Sequence, residues 1–445
     1  MLEGYNEYKE INLPWLHSIP SHWNILRNKN VMLEQKEIVG SNSHKHTLLS
    51  LTLKGIIERD LENAKGKFPK EFDSYKIVKT GNIVFCLFDI DETPRTVGLA
   101  MQNGMLTGAY DVFEPNNSKI NGYYLYYYYL SLDNIKALKP LYTGLRKVIN
   151  ISSFNSLKLP IPPRPEQDQI VRYLDWKVSM FNKYINAKKN QIELLKERKQ
   201  TIINQAVTKG LNMNVPIKDS GIEWLGKIPA HWNILYLSQV AEEQYISNKE
   251  VHNQNLLSLS YGNIVNKDIN TTEGLLPASF DTYQIVNPGN VILRLTDLQN
   301  DWKSLRVGLA TQTGIITSAY VCLFCKDIIL PEYLYLLLHS FDIRKVFYGM
   351  GGGVRQSIGY KEIRKLLLLI PPQAEQQRIA NYCKDIILEI GNNINYIEKT
   401  INLLQEYRIC LISDVVTGKV NVQNIKVPDF VNAEWQAYCY SEEDV

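Results

Sequence analysis

Two short glycine-containing stretches hold the residues best suited to grip a ligand. "TGLRK" ends in Arg146 and Lys147, and "GGGVRQ" ends in Arg355 and Gln356, with Arg355 lying 209 residues after Arg146. Glycine lets a backbone come close to whatever it faces. An arginine fork beside it can hold a phosphate or the O6/N7 edge of guanine, and a glutamine can pair with adenine. Solvated loop arginines are the other reading of the same residues. Lys54, Arg59, Arg95, Arg294, Lys303 and Arg306 are weaker basic candidates, some of which meet only solvent or phosphate.

Residues for other chemistry are scarce. There is no G-x-x-x-x-G-K-[ST] phosphate loop, and "GMGGGVRQ" from Gly349 misses the spacing of a dinucleotide fingerprint. Neither an Asp/Asn-Pro-Pro-Tyr methyltransferase tetrad nor a nuclease-like carboxylate cluster occurs. His22 and His231 each sit in a Pro-x-His-Trp turn with no acidic partner at a nearby spacing, which predicts packing and turn-fixing. The spacing predicts no catalytic and no metal-binding residue, and no cofactor bound by this chain. Cys322 and Cys325 have C-x-x-C spacing without a second pair, so they and Cys86, Cys383, Cys410 and Cys439 are expected to be reduced core thiols.

These residues belong to a duplicated frame. "IPSHWNIL" from Ile19 returns as "IPAHWNIL" from Ile228, and "YKIVKTGNIV" from Tyr75 as "YQIVNPGNVI" from Tyr283. "LPIPPRPEQDQI" from Leu159 is answered by "LLIPPQAEQQRI" from Leu368, in the same order and at nearly the same offset. A period this long is a tandem duplication of whole domains and not a solenoid. The frames match while Ser41 to Ser74 and Leu87 to Thr96 diverge from His252 to Thr282 and Arg294 to Arg306.

Each copy has two parts. Residues 1–160 and 217–369 are rich in Tyr, Val, Ile and Gly, with short apolar runs behind Gly-Asn turns that predict strands. "NGYYLYYYYLSL" and "PEYLYLLLHSF" predict buried helices; a base-stacking platform is the alternative for the tyrosines. Behind each double proline, in 161–216 and 370–430, apolar residues recur at steps of three and four. In the first copy they are Val171, Leu174, Val178, Phe181, Ile185, Ile192, Leu195 and Ile202, with Lys188 and Lys199 in two of the seam places. The second seam runs from Ile379 through Ile390, Ile397 and Leu404 to Val415. Such helices of about 60 Å cannot bury their seams alone, so antiparallel pairing is expected, giving a rod with a domain at each end about a pseudo-twofold axis. The fold class is therefore α+β: two globular mixed domains, two long coiled-coil helices, and a tail at 431–445.

A content of 45% hydrophobic and 21% charged residues and a net charge of +3 are those of an ordinary globular protein, so a nucleic-acid surface must be a local patch. The N-terminus lacks a signal-peptide pattern and the run "LLLLI" is too short to span a bilayer, so a cytoplasmic, soluble protein is expected.

The segment "IKDSGIEWLGKIPAHWNIL", the two proline-led helix starts and the closing "LISDVVTGKVNVQ" resemble the specificity (S) subunit of type I restriction–modification enzymes across nearly the whole chain. The first copy departs in "YKEINLPWLHSIPSHW", which lacks the Asp-Ser-Gly of the second. The resemblance implies two target-recognition domains that read a bipartite sequence in double-stranded DNA for two methyltransferase (M) and two restriction (R) subunits. It also implies that methyl transfer and ATP-driven cleavage, with their S-adenosylmethionine, ATP and Mg, belong to those partners. A coiled-coil scaffold that binds only protein is the competing reading, and an enzyme with motifs too divergent to see is a third.

Overall fold

The computed structural model describes residues 3–59, 71–143, 147–222, 225–251, 253–269, 279–299, 301, 304–350 and 357–430. Contacts divide the chain into Met1–Lys189 with Glu398–Val445 (unit 1), and Asn190–Ile397 (unit 2). Each unit holds one head together with parts of both long helices. Four helices carry the frame: α1 (Gly122–Asn134), α2 (Arg164–Lys209), α3 (Pro331–Ile343) and α4 (Gln373–Val416).

The heads are built alike from antiparallel strands. In unit 1 a four-stranded sheet runs in the order Met32–Gln35, Asp111–Pro115, Ile83–Phe85, Val97–Leu99. In unit 2 the order is Ala241–Glu243, Val321–Cys325, Val291–Leu293, Val307–Leu309. The Gly-Asn turns start the inner strands for a local reason. Gly81 and Gly289 take left-handed φ of +89° and +92°, and the Asn82 and Asn290 side chains accept the amides of Lys79 and Asn287 at 2.8 and 2.7 Å.

On each outer strand lies a hairpin, Leu49–Thr52 with Gly55–Glu58 in unit 1 and Leu257–Ser260 with Asn263–Asn266 in unit 2. Gly98 and Gly308 make that contact possible, because a Cβ at Gly98 would stand 2.5 Å from Leu51 Cδ1 and one at Gly308 2.6 Å from Leu259 Cδ1.

The tyrosine run is core. Tyr124, Tyr127, Tyr128 and Tyr129 are buried in α1, and Tyr124 Oη donates to the carbonyls of Pro160 and Val416 at 3.0 and 3.2 Å. Tyr333 in α3 repeats this on Leu369 and Val207 at 3.0 and 3.3 Å. In both units the head is thus tied to the strand before one long helix and to the last turns of the other.

The Glu-Gln pair behind the double proline has the same binding task twice. Gln167 takes the amide of Asn121 on its Oε1 and donates to Pro162 O, at 2.7 and 2.8 Å. Gln376 takes the amide of Leu330 and donates to Ile328 O and Pro371 O, at 2.8, 3.0 and 3.0 Å. Glu166 and Glu375 each accept from the repeated histidine, His22 and His231, at 2.8 Å. The expectation that these histidines have no acidic partner is corrected: the partner lies 144 residues away in both copies.

The helices are antiparallel within each unit. In unit 1, Phe181 of α2 meets Tyr407 of α4 edge-on at 5.5 Å, Asn182 meets Arg408, and Gln169 reaches past the end of α4 to Val422 O and Ile425 O. In unit 2 the end of α2 (Ile203, Ala206, Val207) shares one core with the start of α4 (Ile379, Ala380, Cys383). Val171, Leu174, Ile185 and Ile192 are buried as the seam requires, and Lys188 and Lys199 are half-buried within it. Gly210 and Gly418, at φ +77° and +76°, end the two helices. Among the described residues no helix is long and apolar enough to cross a membrane.

Cys86, Cys322 and Cys383 are buried as expected of core thiols, and burial pushes the Cys322 and Cys383 thiols up to about 12. Cys410 is exposed, contrary to that expectation, because it lies on the outer face of α4.

Candidate nucleic-acid interface

Each head brings its divergent loop against the residues that end or follow its glycine loop in sequence. In unit 1 the amide of Ile149 donates to Leu87 O at 2.7 Å and that of Asp89 to Lys147 O at 3.2 Å. In unit 2 the amide of Ile358 donates to Leu295 O at 3.0 Å. Stretches separated by about sixty residues in sequence thus meet in each head.

Lys147 is held there by acids. Its Nζ lies 2.8 Å from Glu92 and 3.4 Å from Asp91, and these hydrogen bonds hold its ammonium well above the usual lysine range. Tyr142 Oη donates to Asp91 at 2.8 Å and is the main reason the Asp91 carboxyl sits below its ordinary value, with Lys147 adding to it. Lys147 therefore pins the loop, and its side chain stays 43% exposed.

Arg306 is corrected from a candidate contact to a loop anchor, and Arg95 is tied to the end of α1. Arg95 donates to Asp133 Oδ2 and Asn134 Oδ1, at 3.0 and 3.2 Å, at the end of α1. Arg306 is completely buried. Its Nε donates to Tyr348 Oη at 2.9 Å, Nη1 to the carbonyls of Arg294 and Thr296, and Nη2 to those of Asp297 and Asp301. A guanidinium has five N–H donors, and all five are taken. Arg294 remains partly open at 32% exposure, 3.7 Å from Asp301. Lys54 is exposed at a hairpin turn and Arg59 is half-buried just behind that hairpin. Arg146, Lys303, Arg355 and Gln356 lie outside the described residues.

The residues that shape these surfaces include several that the sequence did not single out. Asp133 takes the amide and hydroxyl of Thr96 at 3.1 and 2.5 Å, and Asp342 takes the amide of Arg306 at 2.6 Å. Their 209-residue spacing, within "SLDN" and "SFDI", was the available signal. Burial raises the Asp342 carboxyl, against the opposing effect of the Arg306 amide. Tyr261 and Leu53, at the hairpin tips, are exposed at 78% and 66% and also escaped notice.

Comparison with known proteins bears on what this frame belongs to. Residues 62–194 match the Methylase_S family model, described as the type I restriction modification DNA specificity domain. The type I restriction enzyme MjaVIII specificity subunit of Methanocaldococcus jannaschii is 23% identical over 442 residues, covering 94% of this chain and 98% of that protein. In fold, the chain is similar to a solved structure described as the basis of "complex assembly and conformational transition of the type I R-M system". That likeness has a TM-score of 0.63 and 13% identity, over 90% of this chain and 99% of the other. It is also similar to the HsdS subunit from Thermoanaerobacter tengcongensis, with a TM-score of 0.50 and 14% identity, over 90% and 98%. The matched domain, the full-length relative and the twice-written order of head and helix agree: along nearly its whole length the chain is similar to type I restriction–modification specificity subunits.

Proposed function

We propose that this chain reads a bipartite sequence in double-stranded DNA, one half-site per head, within a type I restriction–modification assembly in the cytoplasm. The observation that carries the reading is the pairing of divergence with convergence. The tyrosine, glutamine and histidine contacts of the frame recur at equivalent residues, whereas the loops brought together on each head differ in sequence and in how they are braced. Two equal frames with unequal surfaces suit two different half-sites.

The chain itself performs no chemistry in this reading. Methyl transfer from S-adenosylmethionine and ATP- and Mg-dependent cleavage belong to two M and two R subunits that it docks. Lys54, Arg59, Lys147 and Arg294 face phosphates or bases from the edges, and Arg146, Arg355 and Gln356 come from the glycine loops.

The test is retardation of a duplex by the chain mixed with its methyltransferase partner, in the presence of excess random DNA. One preferred duplex supports the reading; equal binding to all duplexes would leave a protein-binding scaffold. Arg355→Ala should weaken that preferred complex by roughly 1–3 kcal/mol and relax one base position. Methylation or cleavage by the purified chain alone would overturn its non-catalytic role.

A further inference from the structure

The unit 2 hairpin turns through Tyr261 and Gly262, both in the left-handed region at φ +46° and +79°. Two-residue turns of this hand follow the twist of the strands, and Asn or Gly normally fills their first place. Tyrosine there is a strained choice. Its 78% exposure means that the ring gains little from the core in return.

The turn is nevertheless firmly seated. Tyr335 Oη on α3 donates to Gly262 O at 3.3 Å, and the Tyr335 and His339 rings pack at 5.7 Å. A Cβ on Gly262 would lie 3.2 Å from Leu305 Cβ and 3.4 Å from His339 Cε1, so the tip stands beside the loop that Arg306 anchors. Gly308 beneath the hairpin fixes its seat on the sheet.

Unit 1 builds the same element from other residues. Thr52 Oγ1 donates to Gly55 O at 3.0 Å and accepts the amide of Lys54 at 3.1 Å, closing the turn. Leu53, which corresponds to Tyr261, projects at 66% exposure beside Lys54. Both heads thus expose one large, mostly apolar side chain on a hydrogen-bonded tip, and the side chain differs between heads.

We infer that the hairpin tips are specificity-determining elements, with Tyr261 and Leu53 pressed against bases of their respective half-sites. An aliphatic side chain in the major groove can read only the thymine 5-methyl, and a tyrosine ring can lie on that methyl or on an unstacked base face. The flanking Lys54 amine suits a neighbouring phosphate. This inference rests on the DNA-reading function proposed above.

The experiment uses the full chain with its methyltransferase partner and the duplex it prefers. Affinity for that duplex and for random DNA is measured for wild type, Tyr261→Ala, Tyr261→Asn and Leu53→Ala, together with thermal unfolding and partner binding. Tyr261→Asn suits the turn better, so its unfolding temperature should hold or rise while affinity for the preferred duplex falls tenfold or more. Binding to random DNA should not change. Leu53→Ala should lose a similar factor and become indifferent to one thymine-to-uracil replacement that weakens wild type.

Tyr261 variants with wild-type affinity and selectivity would overturn the inference and leave the DNA-reading function standing. Equal loss on every duplex, or loss of partner binding without DNA, would also overturn it. If wild type prefers no duplex, the underlying function fails instead.

Discussion

Arg306 gives five donors to five oxygens, four of them carbonyls of the loop that it closes. Lysine has three donors at a single point and cannot reproduce that fork. Arg306→Lys should therefore lower stability by about 2–4 kcal/mol, because buried carbonyls lose their partners. The shift in urea midpoint measures this; an unchanged midpoint with weakened DNA binding would return Arg306 to the interface. In the sequence, Arg306 was one more basic residue in a divergent stretch. Nothing local distinguishes a guanidinium that will be buried from one that will meet phosphate, since its five acceptors are set by the path of the loop.

His339, beneath the unit 2 hairpin, is the second residue with a measurable signature. Burial, and then the Lys199 charge, push its imidazole down to about 4. Its Nδ1 has no hydrogen-bond partner among the described residues. The unfolded chain takes up this proton near the ordinary value of about 6.5, the folded chain only near 4, so stability falls as pH drops between those values. The loss attributable to His339 should reach about 3 kcal/mol by pH 4. Carboxylates titrate in the same range, so the measurement is the difference between wild type and His339→Gln from pH 7 to 4. Equal acid sensitivity of the two proteins would contradict it.

At the scale of elements, the start of each long helix is where the two copies differ energetically. Glu166 accepts from Tyr5 at 2.5 Å, from Trp23 Nε1 at 2.9 Å and from His22 at 2.8 Å. Glu375 holds His231, while Trp232 Nε1 has no partner among the described residues. Glu166→Ala should thus cost about 2–4 kcal/mol, and Glu375→Ala about 1–2 kcal/mol less than that. Denaturant unfolding of both variants checks the order; the reverse order would show that Tyr5 and Trp23 find other partners.

The helices, their seam and their starts were legible because the 3.5-residue period and the double proline are local signals. The Gly-Asn turns were legible for the same reason. The histidine–glutamate pairs were not, since their members are far apart in sequence and only the approach of the head to the helix start joins them. The glycine requirement at Gly98 and Gly308 was equally hidden: the neighbours come from a hairpin some forty residues earlier.

At the scale of the molecule, each compact unit assembles its head on the start of one long helix and the end of the other through contacts that recur. Tyr124 and Tyr333, Gln167 and Gln376, His22 and His231 make equivalent bonds in the two units. A head from a related chain that keeps His22, Trp23, Asn121 and Tyr124 should seat on this frame, so residues 1–160 can be exchanged without disturbing unit 2. The duplication made this modularity legible from sequence alone, whereas the loop surfaces depend on docking that no local pattern encodes.

The most direct measurement is sequencing of the duplexes selected from a random pool by the wild-type chain and by such an exchange chimera, each with the methyltransferase partner. Wild type should enrich two fixed half-sites separated by an unspecified gap of constant length. The chimera should keep one half-site and the gap, and replace only the other half-site. Enrichment of no sequence by the wild-type complex, or alteration of both half-sites by exchange of one head, would contradict independent reading by the two heads.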